Sequence, residues 1–437
     1  MTDTPPPLDP KLNARLSVMM FLQYGIWGAW LPLFFPFLTE HRGFTPAQAG
    51  NLFAIAAIGA LVAPFIAGQI ADRWFNTEKF LGVSHLLGAF LVWQLATVTA
   101  YEDFVLYGLL YSLLYAPTLP LTNSLAFHHL PDRDRDFSRV RVWGTVGWIA
   151  VGIGVGQWLL HTHTPAEGSE AAIRTAQVTG MADAFKVSAL LGVIMGVYCF
   201  LLPKTPPQPG KEKFAPFEAL REIVRDWRHN PLFWLFLIAF PVSCIHQFYF
   251  VHTAGYLGTL ETDAGDTINK IFGVGGGGLM TIGQMAEILV LAVMPWIAKG
   301  LSRKALLTTG VAAYVARFGI FALFPEAWAV IPALALHGLC FGCFFFVAFL
   351  IVDEETTHDV RASAQGLFNL IVVGLGVIVG NWFAGQVAQA AQHTEVVDGV
   401  ETTVMDYEAL FGIPALVAVG CFVLLMVLYP KKRAPAP

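Results

Sequence analysis

Long uninterrupted apolar runs, separated by short polar stretches, recur from one end of the chain to the other. A helix needs about 20 apolar residues to cross a hydrocarbon core of roughly 30 Å, and about twelve segments of that length can be marked out. They begin near Asn13, Pro46, Lys79, Asp103, Arg139, Ala184, Asn230, Gly275, Lys304, Ala327, Ser363 and Tyr407. The pattern predicts an all-α membrane protein. Only the middle of the chain breaks it, where a Pro- and Lys-rich stretch (204–213) leads into the charged run 218–228. This reads as a linker carrying a surface helix. It divides the chain into a six-helix half (1–203), a cytoplasmic linker (204–230) and a second six-helix half with a cytoplasmic tail (231–437).

Composition agrees: 56% of the 437 residues are hydrophobic, 13% are charged, and the mean hydropathy is +0.60. The N-terminus is polar and Pro-rich and runs into a full-length span, so no cleaved signal peptide is expected. Lys and Arg concentrate in the loops after even-numbered spans, in the linker and at both termini, including Lys431 to Arg433. Arg42, Arg174, Lys186 and Lys270 are the exceptions on the other side. By the positive-inside rule both termini are cytoplasmic. The five cysteines, Cys199, Cys244, Cys340, Cys343 and Cys421, all fall in spans and read as packing residues, the Cys340–Cys343 spacing included.

Polar residues within spans are costly against lipid and so mark function. Glu287 is the one carboxylate well inside an apolar run, and a charge at a helix centre costs roughly 2.5–3.5 kcal/mol on insertion scales. Gln284 lies three residues earlier, on the same face. Arg317 in the ninth span is the expected partner of Glu287. That pair is either structural, or part of a switch in which the carboxyl takes up and releases a proton as its surroundings change. In the first span Gln23, Trp27 and Trp30 share a face, and in the fifth Arg141, Thr145 and Trp148 do the same. Such stripes suit a planar polar solute, with hydrogen bonds from Arg and Thr and a stacking surface from Trp. Span seven adds His246, Gln247 and His252. In span four Pro117 and Pro120 predict a kink near Asn123.

Several matches carry less. The run Gly273 to Gly278 fits a loose Gly-x-Gly-x-x-Gly without the preceding strand that dinucleotide binding requires, and reads as helix packing or a flexible outer end of span eight. The charges of 132–136 read as a solvated cytoplasmic loop. A Walker-type phosphate loop and the His-Glu-x-x-His of zinc peptidases are both missing, which argues against an ATP-driven pump and against an enzyme. No metal, cofactor or nucleic acid is called for, and a monomer in the bilayer is expected.

Short matches recur between the halves: Pro64-Phe-Ile with Pro295-Trp-Ile, Arg139 and Gly144 with Arg361 and Gly366, Gln23 with Gln247. They support a duplicated design of two pseudo-symmetric halves with substrate bound near the midplane. With Gly68-Gln-Ile-Ala-Asp72-Arg73 after the second span, the chain resembles the major facilitator superfamily. That resemblance implies a gating role for Asp72 and Arg73.

More specific runs are Phe21 to Trp30, Pro117 to Asn123, Arg141-Val-Trp-Gly-Thr145-Val-Gly-Trp148, Gln284-x-x-Glu287 and Arg361 to Gly366. In order and spacing they resemble the nucleoside:proton symporter family of bacteria. The resemblance implies proton-driven nucleoside import across the bacterial inner membrane. It assigns solute contact to Arg141, Thr145, Gln247, Gln284 and Glu287, with Trp148 beside the solute. Gln23 joins this set from its place on the first span. Two positions depart: Phe250 stands where the family can present Asn, and Gly342 where it can present Asp. The expectation is a proton-coupled nucleoside importer working by alternating access, with Glu287 and Arg317 in proton coupling. A sugar or other small polar metabolite as cargo is the first alternative, and a transport-inactive sensor of the same fold the second.

Overall fold

A computed structural model describes residues 6–66, 75–206, 216–357, 361–397 and 400–430. Asp72 and Arg73, the gating candidates, and Lys431 to Arg433 lie outside the described residues. Eleven described helices are long and apolar enough to cross a membrane. An apolar helix over Pro46–Ile66 takes the second place in order. The others are Pro10–His41, Thr77–Thr97, Tyr101–His129, Arg135–Thr162, Glu170–Cys199, Pro231–Thr259, Gly277–Met294, Arg303–Leu323, Ala327–Glu355, Ser363–Ala390 and Tyr407–Leu428. We number these spans one to twelve in chain order. The helical membrane fold is as expected from the apolar runs.

Polar caps decide where several helices begin. The side chains of Asp9, Ser169, Ser302 and Asp406 each accept a backbone N–H from three residues on, satisfying donors that the first turn leaves free. Asp132 does the same for the N–H of Arg135. The run 132–136, expected to be a loop, is therefore the cap and first turn of the helix Arg133–Thr162. Span six also starts earlier than its apolar run, because the polar helix Glu170–Gly180 leads directly into Ala182–Cys199.

Helix breaks follow the prolines. Span four ends one helix at Tyr115 and starts the next at Thr118, on either side of Pro117, as expected for a residue without an N–H. Span ten is interrupted after Pro332 and then takes a π-helical course over Cys340–Phe346. Such wider turns recur at functional positions in membrane helices.

The chain forms two compact units, residues 1–211 with 253–281, and residues 212–252 with 282–437. In the second, the surface helix Pro216–Val224 is held by Glu222, whose carboxylate accepts the N–H and the hydroxyl of Thr357 at 2.9 Å each. An antiparallel hairpin, Gln392–Val397 with Val400–Met405, joins the last two spans. It was not expected. Its signal lies in two β-branched runs flanking Asp398-Gly399, short and polar beside the long apolar helices.

The glycine run before span eight is a built clasp in the first unit. Gly273, Gly275 and Gly276 all have positive φ. This backbone aims the N–H groups of Gly275 and Gly276 at Glu261 Oε1, at 2.5 and 2.8 Å. Val274 N–H donates to Gly156 O at 3.0 Å, so the clasp is tied to the end of span five. Glu261 is buried, and desolvation pushes its carboxyl up to about 7 against the opposing pull of Arg174 and the two N–H donors. An acid whose folded pKa is raised holds its proton more tightly when folded, so its stabilising contribution is complete below pH 4.5. It is lost as pH rises from 4.5 through about 7. Glu261→Gln keeps the accepting oxygen and removes the titration. Its melting temperature is expected to stay level across that window while the wild type declines, as followed by thermal unfolding in detergent.

Candidate functional site

In the second unit, spans seven to ten bring a polar cluster together around Glu287. Close backbone approach is what makes this possible. A Cβ added at Gly338 of span ten would lie 2.5 Å from the backbone of Ala286 and 2.8 Å from Glu287 N, so only glycine lets the two helices touch here. The contact places His337, the residue before Gly338, beside the acid.

Arg317 Nη1 donates to His337 Nδ1 at 2.9 Å, and His337 Nε2 stands 3.7 Å from Glu287 Oε2. His337 thus stands between Arg317 and Glu287, the two residues expected to pair. Arg317 is completely buried, and its guanidinium lies over the rings of Tyr249, Tyr314 and Phe318 at 4.5, 5.2 and 4.9 Å. These faces solvate a cation that water cannot reach. His337 stacks on Tyr249 at 4.4 Å and on His246 at 5.4 Å. The Tyr314 hydroxyl and His246 Nδ1 are 2.6 Å apart. Glu287 is the more open member, its side chain 21% exposed against 1% for His337.

Gln284 is buried on the same helix and shares a hydrogen bond with Tyr249. Its Oε1 meets no hydrogen-bond partner among the described residues, leaving an acceptor available one turn from Glu287. Gln247 makes only a long contact, Nε2 to Ser243 O at 3.4 Å, so its amide is also weakly committed. His252 contacts Ala384 O, a backbone group, at 3.0 Å. Phe250 packs edge-on to His246 and His337. Gly342, where an acid was noted as missing, faces Val290: a Cβ there would sit 2.6 Å from Val290 Cγ1.

In the first unit, spans one and five touch backbone to backbone. A Cβ on Gly28 would meet the backbone of Trp148 at 2.8 Å. This pins the stripe of Arg141, Thr145 and Trp148, all half-buried, along the first span. Arg141 lies 4.1 Å over the ring of Tyr24. Trp27 packs on Tyr115 at 5.0 Å and Trp30 stacks on Phe185 at 5.4 Å.

Gln23, expected to contact solute, is held by neighbours on spans three and four. It is fully buried, its Nε2 donates to Thr118 Oγ1 at 2.8 Å, and its Oε1 meets His85 Nε2 at 2.9 Å. Its backbone oxygen accepts from the Tyr115 hydroxyl. The residue knots spans one, three and four together, with both ends of its amide engaged. Gln23→Leu leaves the His85 and Thr118 contacts unmade and is expected to cost about 1–3 kcal/mol. Thermal unfolding in detergent should show the lower melting point, while the KM for solute stays near that of the wild type.

His337, Tyr249 and Tyr314 join the cluster without having been expected there. His337 carries a legible signal, since like Glu287 it is an ionisable group within a strongly apolar span, Ala327–Glu355. Among the described residues no group of three or more His, Cys, Asp or Glu could hold a metal ion, and all five cysteines are free and buried.

The family described as nucleoside H+ symporter matches residues 10–434. YegT of Escherichia coli (strain K12) is 33% identical over 391 residues, covering 86% of this chain and 84% of that protein. The xanthosine permease of the same organism is 28% identical over 393 residues, covering 86% and 87%. The crystal structure of the nucleoside transporter NupG superposes with a TM-score of 0.79 at 23% identity, covering 96% of this chain and all of that one, which shows a common fold. The matched family extends over nearly the whole chain, through every span and the residues of both polar faces: the chain belongs to the nucleoside:proton symporter family.

Proposed function

We propose that the protein imports nucleosides across the bacterial inner membrane by proton symport through alternating access, with Glu287 as the coupling acid and both termini cytoplasmic. The reaction class follows from the family, whose members are transporters rather than enzymes. The observation that carries the residue assignment is Glu287 itself: a partly open carboxylate within a span, beside the uncommitted oxygen of Gln284. Gln247, Gln284 and Glu287 offer acceptors and donors suited to ribose hydroxyls and base edges. In the first unit, Arg141 and Thr145 are the candidate donors and Trp148 the candidate stacking face. Gln23 holds the helices that carry its neighbours.

The test is uptake of labelled uridine and adenosine into proteoliposomes under an imposed inward proton gradient, with sugars as competitors. Concentrative nucleoside uptake that collapses with the gradient supports the reading. Uptake of neither nucleoside at any pH, or competition by sugars alone, would sink it.

A further inference from the structure

We propose that His337 is a positioning residue for proton coupling: held by Arg317, it presents a ring N–H to Glu287 and thereby sets the pH at which Glu287 exchanges its proton. This rests on the reading of Glu287 as the coupling acid. The argument begins with hydrogen-bond polarity. A guanidinium only donates, so His337 Nδ1, 2.9 Å from Arg317 Nη1, must accept. The proton of the neutral ring is then on Nε2, the atom facing Glu287 Oε2 at 3.7 Å. At that distance the contact is looser than a hydrogen bond, so a small closing movement is enough to strengthen it. Donation favours the ionised carboxylate, and retreat of the ring favours the protonated one.

The surroundings keep the ring in this orientation. Stacking between Tyr249 and His246 fixes its plane. Gly283 leaves room for it, since a Cβ there would be 3.1 Å from His337 Cβ. The titratable and charged groups facing the pair are Arg317 and Tyr314 from span nine, His246 and Tyr249 from span seven, and Cys340 on span ten itself. Of these only Arg317 carries a permanent charge, and it is hydrogen-bonded to His337, whose ring faces Glu287.

Two substitutions separate positioning from other roles. His337→Phe keeps the stacked ring and removes both nitrogens. His337→Gln keeps an oxygen to accept from Arg317 and an amide N–H to donate to Glu287, but cannot titrate. Both are compared with the wild type by gradient-driven uridine uptake in proteoliposomes across pH. Glu287 in the Phe variant no longer faces a ring N–H and holds its proton to higher pH, so the alkaline limb of the profile moves up by about one pH unit. The Gln variant retains the wild-type limb. An unshifted limb in the Phe variant overturns the proposal. Loss of coupling in the Gln variant also overturns it, since His337 would then itself carry the proton. If the Phe variant does not fold, the Gln profile decides alone, retained or changed. Absence of gradient-driven uptake in the wild type would instead refute the function on which this rests.

Discussion

Glu287→Gln is expected to reduce the accumulation ratio of nucleoside under a proton gradient to about one, while leaving exchange between the two sides of the membrane measurable. A gradient of one pH unit is worth about 1.4 kcal/mol, so a coupled carrier with one proton per solute accumulates about tenfold. Gln has the size of Glu and keeps an acceptor for solute and for His337, but it cannot take up a proton. Without a titrating group the free energy of the gradient has no route to the solute. Counterflow, which needs binding and movement but no gradient, separates this outcome from simple loss of affinity. If Glu287 only binds solute, counterflow and accumulation fall together. If the variant accumulates nucleoside with the pH dependence of the wild type, coupling resides elsewhere.

How far this could be read beforehand depended on which physical signal each feature leaves in the chain. Burial in lipid requires an unbroken apolar run, so the spans were visible one by one, and their starts at Thr77, Tyr101 and Arg303 differ by only a few residues from expectation. Polar caps are local but resemble loop residues, which is why the first turn after Asp132 was taken for a loop. The hairpin after span eleven is too short and too polar to register against helices of such length. Glu287 stood out because its cost in lipid is a property of one residue. Its connection to Arg317 was not legible, because the bridging His337 is distant in sequence and its tautomer is fixed only by a contact that folding makes. For the same reason Gln23 looked like a solute contact: sequence shows that an amide is in a span, and only packing shows that both of its ends are already engaged.

Gly338→Ala is expected to be the most damaging single-methyl change in the second unit, in both folding and transport. The added carbon would lie 2.5 Å from Ala286 C and O and 2.8 Å from Glu287 N, all backbone atoms that cannot swing aside as a side-chain end would. Spans eight and ten would have to separate, at an overpacking cost of about 1–3 kcal/mol. That separation is applied at the step where His337 faces Glu287, and a displacement of about 1 Å at such a contact can change a rate by orders of magnitude. Gly319→Ala in span nine supplies the control, since a Cβ there meets nothing within 4 Å. Alanine should be neutral or stabilising at that position, by up to about 1 kcal/mol from the lower flexibility of the unfolded chain. Folded yield by size-exclusion chromatography and uridine accumulation in proteoliposomes would be measured for both. Equal behaviour of the two variants would mean that the helix contact at Gly338 does not position Glu287, whereas a loss confined to Gly338→Ala locates the coupling geometry at the point where these two backbones meet.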